Sequence, residues 1–225
     1  MNTRWLRTKY VVFGFIFFMM AYVLYHNEGF LIHPSDPIWN HYEAFKWWLL
    51  PHGVAGACTL VLAPMEFSDR LRRRYTRLHR VMGRMYVASV LIASPIGVFI
   101  QYRFDEPLGV PRSFTVETAA HAALWMFTTA VAFGFALGGK IHQHRQWMTR
   151  SYALAILFLE NRVIVGLFGW SQNIPMAETV LWVNLSLSLF FADIASQWRD
   201  LSGQLALLLR KRLRLSNRTP LQGQP

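Results

Sequence analysis

Apolar residues in this chain come in blocks of about 20, the length that a helix needs to cross the hydrocarbon core of a bilayer. This spacing constrains the fold more than any other feature. Only 16% of the 225 residues are charged, too few to cover a soluble domain of this size, whereas 53% are apolar. The chain is therefore predicted to be an all-α, polytopic membrane protein.

Six membrane spans are predicted, in a single transmembrane bundle over residues 1–200 whose central four-helix core is spans two to five. A basic cytoplasmic tail, partly amphipathic or disordered, is predicted at 201–225. The first span is predicted to be an uncleaved anchor, because no small-x-small cleavage site follows it. The predicted spans are Val11–Tyr25, Trp47–Met65, Val81–Tyr102, Phe114–Leu137, Trp147–Trp170 and Glu178–Trp198.

The distribution of Lys and Arg predicts that both termini lie inside. With the N-terminus inside, 19 of these residues fall on the inner side and three on the outer side, and such an excess marks the cytoplasmic face. The net charge of +11 thus reflects topology, and no nucleic-acid partner is expected. The single cysteine, Cys58, excludes an internal disulfide and a zinc cysteine cluster. The expected location is a bacterial inner membrane.

Four histidines lie at the ends of four consecutive spans, two on each side of the membrane. His52 and His121 are near the outer ends of spans two and four, and His79 and His144 are at the inner ends of spans three and five. Two b-type haems stacked across a bilayer, each held by two imidazoles, use this arrangement. The four histidines are therefore the candidate haem-iron ligands, and the implied cofactor is two haem b groups.

Other residues near the histidines are candidates for holding the same cofactor. Gly56 and Gly83 each follow a histidine by four residues, which leaves room on that helix face for a macrocycle or a neighbouring helix. Glu117 precedes His121 by four residues and is a candidate acceptor of its ring N–H. The candidates for binding haem propionates are arginines near the inner or outer site: Arg80, Arg84, Arg145, Arg150 and Arg162.

Three segments, HGVAGACTLVLAPMEF, LHRVMGRMYV and HRQWMTRSYAL, resemble a family of bacterial predicted membrane proteins of unknown function. Paired HRxxGR and HRxWMxR motifs mark that family, and the resemblance covers about residues 45–170. The four-histidine layout is also similar to the six-helix, di-haem transmembrane cytochromes b that pass electrons from ascorbate-like donors. That similarity implies electron transfer, although the inner histidines here lie very close to their helix starts.

Three functions are compatible with the sequence. The first is a di-haem electron carrier, a candidate membrane oxidoreductase component whose donor and acceptor are unknown, with quinol among the options. The second is a non-haem metal-binding or transport protein, in which methionines near the histidines contribute to a copper site. The third is a cofactor-free structural or accessory protein with interfacial histidines. No motif of a soluble enzyme is present.

Overall fold

The structure, a computed structural model, describes residues 3–28, 30, 33, 35–170 and 173–216. Eight α-helices account for most of this part of the chain, a short π-helix and a 3-10 turn follow the fifth of them at Gln101–Asp105 and Glu106–Leu108, and it contains no strand. Two of the helices are short, and six are 21 residues or longer. In chain order they are α1 Thr3–His26, α2 Ile38–Tyr42, α3 Lys46–Glu66, α4 Asp69–Arg74, α5 Thr76–Ile100, α6 Arg112–Leu137, α7 Ile141–Leu167 and α8 Ile174–Ser216.

The six long helices coincide with the six predicted spans, and the prediction of an all-α, polytopic membrane bundle is confirmed. Within the described residues four stretches are long and apolar enough to cross a membrane: 46–66, 76–108, 112–137 and 174–198. The apolar part of α1 is shorter, and α7, which corresponds to the predicted fifth span, is not among the four stretches. Helix α8 continues into the predicted tail as far as Ser216, whereas residues 217–225 lie outside the described part.

Helices α3, α5, α6 and α7 form a closed ring in which each helix packs against its two neighbours. The ring order is α3, α5, α6, α7, and α7 closes it by contacting α3. As a result α3 lies diagonally opposite α6, and α5 lies diagonally opposite α7. This ring is the predicted four-helix core of spans two to five.

Helix α7 is the centre of the bundle because α1 and α8 also pack against it. Because α7 is surrounded by other helices, its charged side chains can pair with them and need not contact lipid. Ionisable groups in a membrane helix face other helices instead of lipid. The largest apolar side chains that are fully buried include Leu154 and Leu157 of α7.

Candidate functional site

His52 of α3 is fixed against α5. Its Nδ1 lies 2.9 Å from the carbonyl oxygen of Ala93. The ring also lies against Gly97, one turn further along α5, where an added Cβ would be only 2.9 Å from His52 Cε1. The absence of a side chain at Gly97 therefore makes the room in which the imidazole sits.

His121 of α6 is buried and turned toward α7. Its Nε2 lies 3.0 Å from the carbonyl oxygen of Leu154. The indole of Trp125, four residues further along α6, stacks on the imidazole with an interplanar angle of 16° and a centroid distance of 6.0 Å. The stacked indole and the hydrogen bond together restrict the ring to one orientation.

The inner histidines lie close to each other and to an acidic residue. His144 Nδ1 is 2.8 Å from the carbonyl oxygen of Ala132 on α6. His79 Nδ1 is 2.7 Å from Glu66 Oε2, at ion-pair distance but without the alignment of a hydrogen bond. His144 also lies within electrostatic range of His79, Glu66 and Arg72. The structure thus brings the two predicted inner ligands into one polar cluster.

One nitrogen of each of the four imidazoles lies beside a protein oxygen. A carbonyl oxygen only accepts hydrogen bonds, so the bonded nitrogens of His52, His121 and His144 carry the proton. In each neutral ring the other nitrogen then has a free lone pair. Histidines that ligate metals are oriented in the same way, by a carbonyl or carboxylate on the second nitrogen.

The two histidine levels are separated along the bundle axis. On α5, His79 belongs to the inner level, and Ala93, the partner of His52, marks the outer level, roughly 21 Å away at 1.5 Å per residue. On α6, His121 and Ala132, the partner of His144, are roughly 16 Å apart by the same measure. The spacing agrees with two sites stacked across the membrane.

A closed chain of hydrogen bonds fills the layer between the two levels. The indole of Trp125 donates to Tyr86 Oη at 3.4 Å, and Tyr86 and Ser151 are bonded at 2.8 Å. Ser151 and Thr129 are bonded at 2.7 Å, and Thr129 donates to the backbone carbonyl of Trp125 at 2.7 Å. Because each hydroxyl has one proton, Tyr86 donates to Ser151 and Ser151 donates to Thr129. All four side chains are satisfied without water.

A Tyr86→Phe variant should lower the free energy of unfolding by about 1 kcal/mol or more, because it leaves the Trp125 indole N–H unpaired in an apolar core. Thermal unfolding of the purified protein in detergent measures the effect. Tyr102→Phe is the matched control, since Tyr102 is 61% exposed. Equal stability of the two variants would contradict a structural role for the chain of hydrogen bonds.

The residues predicted to flank the histidines have different roles in the structure. A Cβ added at Gly56 would meet no atom within 4 Å, so there is open space beside this glycine. A Cβ added at Gly83 would lie 3.3 Å from Glu66 Oε2. Gly83 thus makes room for the acidic neighbour of His79. Glu117 is buried, but its Oε1 has no partner. The N–H of His121 goes to the Leu154 carbonyl and not, as predicted from the sequence, to Glu117.

Two of the predicted propionate-binding arginines are paired with acids outside α7, one on α8 and one in the segment after α1. Arg150 Nε lies 2.6 Å from Asp193 Oδ1 of α8, and the guanidinium lies over the Trp147 ring at 4.8 Å. Arg162 lies 3.0 Å from Glu28 Oε1. Arg145 is half-buried beside the inner site, whereas Arg80 and Arg84 are exposed.

Arg162 belongs to a cluster at the outer end that the sequence did not predict. It is within electrostatic range of both His52 and Tyr42, and Tyr42 is also near Glu28. Burial raises the pKa of the Tyr42 hydroxyl, and this rise outweighs the opposing effect of Arg162. The outer histidine therefore has a charged neighbour, held in place by an ion pair to the segment after α1.

Sequence reasoning missed Glu66, Gly97 and the hydrogen-bonded layer around Tyr86. A signal was present on α5, where His79, Tyr86, Ala93 and Gly97 recur at helical spacing and share one face. Both histidine levels and the layer between them can be located from that face.

The comparisons with known proteins identify the family. Residues 49–196 match the family model described as "Predicted membrane protein (DUF2306)". The chain belongs to this family. The DUF2306 match begins in α3 and ends in α8, so it contains all four histidines and leaves out α1. The resemblance to a family of predicted membrane proteins is thereby confirmed. No curated protein and no solved structure matches the chain.

Proposed function

We propose that this protein is a transmembrane electron carrier that holds two haem b groups. His52 and His121 would ligate the outer haem, and His79 and His144 the inner haem. The carrying observation is that four imidazoles on four consecutive core helices each have one nitrogen beside a protein oxygen. The members of each pair lie on helices at opposite corners of the ring, and the proposal sets one haem between the members of each pair.

The donor set fits haem better than a non-haem metal ion. A haem supplies four in-plane nitrogens, so two imidazoles complete the coordination. Zinc and copper sites in proteins need about three or more protein ligands. Within the described residues no three His, Cys, Asp or Glu side chains converge in a way that could hold a metal ion.

The residues around the two levels perform the tasks that an electron carrier requires. When bound, haem supplies a centre that is reversibly oxidised and reduced by one electron. The protein keeps each imidazole in one orientation, and two imidazole ligands leave no open position for oxygen. The buried layer of Tyr86, Trp125 and Ser151 keeps water out of the space between the levels.

The protein lies in a membrane, and its electron donor and acceptor are proposed from the positions of the two levels. A quinol in the bilayer or a small reductant at the outer face is compatible with the outer level, which carries His52 and Arg162. In a bacterial cell the expected location is the inner membrane, with the Lys-rich and Arg-rich face toward the cytoplasm.

Electron transfer across a sealed membrane tests the proposal. The purified protein is reconstituted with haem into vesicles that contain ferricyanide, and a membrane-impermeant reductant is added outside. Reduction of the trapped ferricyanide is expected only in vesicles with the protein, and a His52→Ala/His144→Ala double variant should lose it. A haem-loaded protein that leaves the trapped ferricyanide oxidised would refute electron transfer across the membrane.

A further inference from the structure

The interface between α7 and α8 holds a group of polar side chains that lies outside the histidine core. We name it the α7–α8 seam and define it by Glu160 of α7 with Asn184 and Ser188 of α8. Asn184 and Ser188 are four residues apart and therefore share one face of α8. The carboxyl of Glu160 lies within reach of the Ser188 hydroxyl.

Polar atoms in the seam are buried without partners. Asn184 and Ser188 are 7% and 6% exposed, yet the Asn184 Nδ2 and Ser188 Oγ atoms make no hydrogen bond. Thus the contact between Ser188 and Glu160 is a close approach and not an aligned bond. Native proteins satisfy such atoms with ordered water or an ion.

Within the described residues, no cation is paired with the carboxyl of Glu160. Helix α7 packs against α1, α3, α6 and α8, and in the described part of these helices no charged side chain is in electrostatic contact with Glu160. The two arginines of α7 that form ion pairs do so with other acids, Arg150 with Asp193 and Arg162 with Glu28. An unpaired carboxylate in a membrane interior is costly, and the neutral acid avoids this cost.

We propose that Glu160 is a protonated carboxyl joined by ordered water to Asn184 and Ser188, so that the α7–α8 seam is a proton-exchange site within the membrane. The water supplies the partners that the two side chains of α8 lack. It also lets the carboxyl proton exchange with the aqueous phase. The site is independent of the proposed haems, because none of its residues belongs to the histidine levels.

Infrared spectroscopy of the full-length protein in lipid tests the proposal. A protonated carboxyl has a carbonyl stretch that is distinct from carboxylate bands and shifts when its proton is replaced by deuterium. The wild-type protein is expected to show this band and to shift it within minutes of transfer to D2O. Glu160→Gln should remove the shifting band. Glu117 is a buried acid outside the seam that can contribute a band of its own. The Glu160 component is therefore the part of the band that Glu160→Gln removes and Glu117→Gln leaves in place.

Three results would overturn the proposal. Glu160→Gln could leave the band unchanged, which would mean that Glu160 is ionised. The band could persist unshifted in D2O, which would exclude exchange with water. Added NaCl, but not choline chloride, could remove the band, which would make the seam a sodium site.

A second measurement applies if the Glu160→Gln protein does not fold. Dicyclohexylcarbodiimide is apolar and adds the O–H of a protonated carboxyl across one of its C=N bonds, the proton going to nitrogen. Peptide mass spectrometry of the wild-type protein should find the adduct at Glu160 and not at Glu178, which lies outside the seam near the outer end of α8. An unmodified Glu160 would contradict a protonated, water-accessible carboxyl.

Discussion

A His121→Ala variant is expected to bind about half as much haem as the parent chain, because a bis-imidazole site holds its iron only when both ligands are present. Pyridine haemochrome absorbance, divided by protein concentration, gives the number of haems per chain. His142→Ala is the matched control, since His142 is exposed and lies only two residues from His144. It should keep the full haem content.

Loss of haem from His121→Ala has to be separated from loss of structure, because the imidazole also bonds Leu154 and stacks on Trp125. His121→Gln makes the separation. Its side-chain amide can still donate to the Leu154 carbonyl, but it has no imidazole nitrogen for iron. We expect His121→Gln to unfold close to the parent temperature and yet bind half the haem. Full haem in both variants would exclude His121 as a ligand.

Substitution of Gly97 by leucine should remove or distort the outer site without altering any proposed ligand. An added Cβ would be 2.9 Å from His52 Cε1, so the imidazole must move, and we expect the larger leucine side chain to displace it from the Ala93 carbonyl. We expect the outer haem to be lost or its midpoint potential to shift, while the inner haem is unchanged. Redox titration of the haem absorbance measures both centres in one experiment.

The matched control for this experiment is Gly53→Leu. Gly53 is next to His52 in the chain, but an added Cβ there meets nothing within 4 Å. Both variants replace a helical glycine in a membrane span by the same residue, so they differ mainly in contact with the imidazole. If Gly97→Leu and Gly53→Leu titrate alike, the packing of His52 against α5 has no part in the outer site.

The fold could be predicted from the sequence because the length and polarity of each segment are local properties. All six predicted spans coincide with long helices, and the edges differ by a few residues, as at α5, which begins at Thr76 instead of Val81. Helices continue past the apolar segment into polar residues, as α8 does to Ser216. Hydrophobicity marks the part that contacts lipid and not the end of the hydrogen-bonded helix.

The partners of the histidines could not be predicted in the same way, because they depend on which helices face each other. Glu117 shares a helix face with His121, yet the ring of His121 turns toward Leu154 on α7. Glu66 lies beside His79 only because α3 and α5 pack side by side. Three of the four imidazoles bond to backbone carbonyls, which every residue type has, so the sequence does not indicate which carbonyl is the partner.

An absorbance spectrum of the purified protein shows whether the four imidazoles hold two haems. The protein is expressed with ample haem, purified in detergent, and measured oxidised and then reduced with dithionite. We expect sharp alpha and beta bands on reduction and about two haems per chain in the pyridine haemochrome assay. A folded protein without a haem spectrum would contradict haem binding by these imidazoles.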